Sequence, residues 1–208
     1  MKCYTKGAKA KKLTEAYQTI GKCILEYLDA SSGCVVNEHF GYKKKRLQDM
    51  FDTTQNYLNY MMDLYGKEKD GHRKRAETTI KEVADKLRKY AEFDFIQTTK
   101  EYAAYRDVFF DKWHKEKEVN KHASREAFIA DMEPVAQVYH AQLLHWFWLH
   151  KGFGCGRLNT LYKLLREDYN LMITEYLRCN AAGDNKIKAM LKERQDKLED
   201  IGMEFEEV

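Results

Sequence analysis

Apolar side chains recur along this chain at helical spacing, and the same spacing appears in two places. After Leu47 the apolar positions are Met50, Phe51, Leu58, Met61 and Met62. After Leu158 they are Leu161, Tyr162, Tyr169, Met172 and Ile173, at the same offsets. Each set marks one face of a helix. A further amphipathic stretch follows in each half: Ile80, Val83, Ala84, Leu87 and Ala91, then Ile187, Met190, Leu191 and Leu198. Each half closes on a phenylalanine, at Phe93 or Phe95 and at Phe205. A glycine segment precedes each first helix. In the first half it is Phe40-Gly41-Tyr42, a basic run and Arg46-Leu47; in the second it is Phe153-Gly154-Cys155-Gly156 and Arg157-Leu158. Aligned on Phe-Gly, the second copy is two residues shorter between its Phe and its Arg.

The pattern predicts an all-α helical bundle of about six to eight helices, made of two similar halves joined by a central helix. One domain spans 1–208, with half-repeats at 13–95 and 124–208 and a connector at 96–123. Thr14 caps a helix to about Leu28, with Tyr17, Ile20, Ile24, Tyr27 and Leu28 inward, and Ser31-Ser32-Gly33 breaks it. Residues 1–12 are Lys-rich and expected to fray. Helices follow at 43–65 and 77–92, with a polar loop between glycines 66 and 71. The connector helix, 98–120, carries Tyr102, Tyr105, Phe109 and Trp113 on a shared side. Ser124 is the expected cap of the next helix, and Pro134 kinks or restarts it. Residues 135–149 are apolar nearly all round, which implies burial, Trp146 included. Helices at 158–177 and 185–201 complete the chain.

A single proline and 11 glycines in 208 residues agree with long helices and short connections. The net charge is +3, with a basic surplus in the first 90 residues and an acidic surplus in the rest. That asymmetry favours an acidic partner for the front half. The five cysteines are odd in number and none forms C-x-x-C, so reduced thiols are expected. No apolar run approaches a membrane span and no signal-type apolar core follows the basic start. The expectation is a soluble cytoplasmic protein with no membrane partner.

No catalytic or metal signature stands out. His140, His145 and His150 are five apart, roughly 140° apart on a helix, and do not converge on one ion. Phe153-Gly154-Cys155-Gly156 lacks the phosphate-loop pattern. It reads as a tight turn whose Phe153 plugs the core and whose Gly154 and Gly156 supply positive φ. Phe40 and Gly41 take the same part in the first half. Cys155 reads as a turn thiol, its role open. No cofactor is implied, and the chain reads as a non-enzyme.

The basic clusters carry the functional lead. Lys43, Lys44, Lys45 and Arg46 sit at a predicted helix start, and Arg73, Lys74 and Arg75 follow a loop. Such runs attract phosphate, and Tyr42, Tyr57, Tyr60 and Tyr65 lie near enough to stack on bases. An antiparallel pairing of the two helices would set the clusters at separate ends.

The run Phe40-Gly41-Tyr42-Lys43-Lys44-Lys45-Arg46-Leu47 resembles a Phe-Gly-Phe-Gly-Lys-Lys-Arg-Leu motif of small uncharacterised helical phage and prophage proteins of Firmicutes. Lys43 stands in place of the motif's second glycine. Leu149-His150 before the second Phe-Gly is similar to that family too. The resemblance implies a mobile-element origin, a bacterial host cytoplasm and an all-helical fold, and it transfers no catalytic residue. Two functions follow as expectations. One is a non-catalytic inhibitor that occupies a surface of a host protein or nucleoprotein complex, such as an RNA-guided nuclease. The other is a nucleic-acid-binding accessory or regulatory protein using the basic front half.

Overall fold

The computed structural model describes residues 6–65, 71–88, 124–179 and 183–205, with side chains at 16–54, 56, 78, 79, 81–88, 124–179 and 185–205. These residues form six helices and no strand: α1 (Lys6–Phe40), α2 (Lys44–Tyr65), α3 (Gly71–Leu87), α4 (Arg125–Lys151), α5 (Cys155–Arg178) and α6 (Gly183–Glu199). The fold is all-α. None of the helices is long and apolar enough, among the described residues, to cross a membrane. The expected connector helix at 98–120, with Tyr102, Tyr105, Phe109 and Trp113, lies outside the described residues.

The first helix corrects the expected break at Ser31-Ser32-Gly33. α1 runs unbroken for 35 residues and starts at Lys6, inside the stretch expected to fray. All three residues are buried there, and each has a reason to sit in a helix. Ser31 Oγ donates to Asp168 on α5, and Ser32 Oγ donates back to the Asp29 carbonyl. At Gly33 side chains of α2 and α6 press onto α1: a β-carbon there would lie 2.9 Å from Phe51 Cζ and 3.0 Å from Leu198 Cδ1. The inward residues Tyr17, Ile20, Ile24, Tyr27 and Leu28 are all buried.

Ser124 caps α4 as expected, its Oγ accepting from the Ala127 amide. Pro134 neither ends nor restarts the helix, which continues through it to Lys151. The stretch 136–147 is largely buried, with Trp146 and Phe147 at 0% exposure, while Leu149 is exposed. α3 starts six residues earlier than expected, so Arg73, Lys74 and Arg75 lie within its first turns, and the expected loop before them falls outside the described residues at 66–70. α5 likewise begins at Cys155 and takes Gly156 into the helix.

α1 and α4 form the centre and run in the same direction. Tyr17 packs on Phe128 near their starts (ring centroids 4.9 Å), and Phe40 packs on Phe153 past their ends (5.2 Å). The third helix of each half crosses over: α6 packs on α1, and α3 packs on α4. Cys34 Sγ donates to the Arg194 carbonyl across the first pair (3.3 Å), and His145 Nε2 meets Glu82 Oε2 across the second (2.7 Å). Cys34 and His145 are 111 residues apart, and that spacing recurs around the two turns. α1 and α4 end at Phe40 and Lys151, α2 and α5 begin at Lys44 and Cys155, and Leu47 and Leu158 are both fully buried.

Candidate binding site at the turn end

The two turns that follow α1 and α4 sit side by side at one end of the bundle. Each is made by a glycine in the left-handed region, Gly41 (φ 68°) and Gly152 (φ 63°). A residue with a β-carbon rarely adopts that conformation, so both turns call for glycine, as does Gly202 (φ 88°) after α6. Past each glycine an amide reaches back six residues, Tyr42 N–H to the Val36 carbonyl and Phe153 N–H to the Phe147 carbonyl. Gly41 therefore corresponds to Gly152, and Tyr42 to Phe153, with no length difference between the halves. This corrects the alignment on Phe-Gly, and it removes the expectation of positive φ at Gly154 and Gly156. Gly154 caps α5 with an ordinary φ of −76°.

The basic run stands on the first turn. Lys43, Lys44, Lys45 and Arg46 are all exposed, at the start of a helix with no acidic residue in its first turn. The second turn adds Arg157, also exposed. The two arginines are equivalent in the repeat and do the same thing. The Arg46 guanidinium lies over the Tyr42 ring at 5.8 Å, and that of Arg157 over the Phe153 ring at 5.6 Å. Beneath them Tyr42, Phe147, Phe153 and Phe40 form one aromatic stack. Arg157 was missed as a site residue because it is isolated in sequence. Its position opposite Arg46 in the repeat was the available signal.

Acidic groups at this end are engaged by basic residues around the run. Asp49 takes Lys151 Nζ at 2.7 Å and Asp85 takes Arg88 at 2.7 Å. Glu204 stands 4.0 Å from Lys44 Nζ, and both side chains are exposed, so that pair holds Lys44 weakly. Tyr42 is 9% exposed and packed on Phe147, so its ring faces the core rather than a base. Gly154 and Gly156 are exposed, and a β-carbon at either would meet nothing within 4 Å. Cys155 between them is half-buried and donates its thiol to the Lys86 carbonyl.

That last bond brings the end of α3 to the turn end. The backbone of Arg73, Lys74 and Arg75 then lies at the opposite end of α3, about 20 Å away along the helix axis. Their side chains, like those of Tyr57, Tyr60 and Tyr65, fall outside the described residues.

Elsewhere the polar interior serves packing. No group of histidine, cysteine or acidic side chains suited to a metal is found among the described residues. His140 is buried against the Tyr139 and Tyr169 rings, with Arg166 near and Glu133 paired to Arg166. Burial, reinforced by Arg166, holds its pKa down at about 3, against an ordinary 6.5. The unfolded chain therefore takes up a proton that the native chain refuses. Stability is full above pH 6.5 and falls as pH drops below it, by about 2 kcal/mol between pH 7 and pH 5 from this group. Urea titrations at the two pH values should show that loss, and His140→Phe should flatten it. An equal loss in both proteins would assign the effect to other groups.

The sequence matches no family model, and no curated protein and no solved structure matches it.

Proposed function

We propose that this chain is a non-catalytic binding protein that docks by its turn end on a host nucleoprotein complex and inhibits it, with an RNA-guided defence nuclease as the most concrete target. One observation carries the reading. Five exposed basic side chains, Lys43 to Arg46 and Arg157, stand on two adjacent turns over a rigid aromatic stack. Arg46 and Arg157, held over rings, lose less entropy on binding than free side chains would, and a charged surface steers encounter with an opposite charge. The resemblance of residues 40–47 to phage and prophage proteins supplies the class of target.

The test is inhibition of target cleavage by reconstituted RNA-guided nucleases of several types. The protein is expected to block at least one of them at stoichiometric concentration. Lys44→Glu with Arg46→Glu should release the block with melting unchanged. Full cleavage throughout the series sinks the reading.

A further inference from the structure

We infer that the turn end grips a nucleic-acid backbone through its phosphates, in a sequence-independent way, with both turns taking part. The inference rests on the docking surface proposed above and names what it touches.

Three features of the turn end point to phosphate rather than to bases or to a protein face. The first is the arrangement of charge. Lys43, Lys45, Arg46 and Arg157 are exposed, while the neighbouring carboxylates of Asp49 and Asp85 are already engaged by Lys151 and Arg88. The exposed charge at the tip is thus mainly basic and spread over two turns, with the exposed Glu204 carboxylate 4.0 Å from Lys44 Nζ, and a basic surface of this kind is what phosphodiester chains meet. The second is the burial of the aromatic stack at the tip. The aromatic rings lie beneath the arginines, with Tyr42 and Phe153 buried. Stacking on bases needs an exposed ring. The third is clearance. Gly154 and Gly156 sit beside Arg157 in open space, and neither packing nor positive φ calls for glycine there. Gly156 even lies inside the first turn of α5, where glycine weakens a helix. Bare backbone at this spot lets a chain-like ligand come close to Arg157 on one side and residues 43–46 on the other.

The experiment uses the full chain and fluorescein-labelled duplexes of two unrelated sequences, with polyglutamate as the acidic-protein probe. Equal affinity for both duplexes is expected, falling with salt at a log–log slope of about −4.5 for five neutralised phosphates. Arg157→Ala and Lys45→Ala should each reduce that slope by about one. Gly154→Ala with Gly156→Ala should weaken binding severalfold, with a melting temperature no lower than the parent's. Polyglutamate binding as tightly as the duplexes would assign the surface to an acidic protein and overturn the inference. So would a slope unaffected by Arg157→Ala, which removes the second turn from the contact. A protein that blocks a nuclease but ignores bare duplex overturns this inference and leaves the docking reading standing. Duplex binding with no nuclease affected does the reverse.

Discussion

Asp168→Ala should destabilise the fold by about 3–5 kcal/mol, because it strands a positive charge inside the bundle. Asp168 on α5 accepts hydrogen bonds from Tyr27 OH (2.7 Å) and Ser31 Oγ (2.5 Å) on α1 and from the Arg194 guanidinium on α6. The Arg194 and Asp168 side chains are only 14% and 13% exposed, so water compensates little. The carboxylate is the one acceptor shared by three donors from two other helices. Removing it leaves the guanidinium with the exposed Glu193 carboxylate at 3.5 Å and two hydroxyls to find new partners. Urea unfolding measures the cost, and Arg194→Met in the same chain tests its origin. The double variant should recover part of the loss, since a buried pair replaced on both sides is far less costly than one broken on one side. A loss below about 1 kcal/mol for Asp168→Ala would show that the network is dispensable.

The second large effect is expected at the turn end itself. Phe153→Ala should cost about 3–5 kcal/mol. Phe153 is 4% exposed and packs against Phe147 (4.7 Å) and Phe40 (5.2 Å), with Arg157 across its open edge. Truncation opens a cavity between the two turns and removes the platform of Arg157. Phe153→Leu fills most of that volume and should cost less than half as much. A melt of Phe153→Ala within error of the parent would mean the two turns are not packed on each other. Because the aromatic stack is shared, this variant should also weaken whatever the basic tip binds.

The helical fold was legible from the recurrence of apolar positions, since Leu47, Met50, Leu158, Leu161 and Tyr162 all mark buried faces. The break assigned to Ser31-Ser32-Gly33 was not real, because local propensity gave way to partners far along the chain. Asp168 and Leu198 make a serine and a glycine favourable in the middle of a helix, and neither can be seen from the neighbouring residues. The duplicated face was legible, but a coincidence of Phe-Gly obscured its register at the turns. Matching Phe-Gly to Phe-Gly paired the wrong glycines; counting back six residues from Leu47 and Leu158 pairs Gly41 with Gly152, and both have a left-handed φ. Of the site, residues 43–46 were visible as a run of charge. Arg157 was not, for its place beside them depends on two turns meeting in space. The carboxylate network of Asp168 joins residues 137 and 141 positions apart, beyond any local pattern.

The crossing of the third helices has a consequence for how the protein is made. α1 leaves the ribosome first, yet its partner α6 comes last; Cys34 waits for Arg194 across 160 positions. At about 5–20 residues per second, that interval is on the order of ten to thirty seconds. Over that interval α2, α4 and α5 can cover their parts of α1, and the part that α6 covers stays open. Contacts this distant in sequence also form slowly once the chain is complete. Nascent chains that stall before α6 therefore expose the strip of α1 that α6 covers, and the cell's chaperones should hold them until that helix arrives.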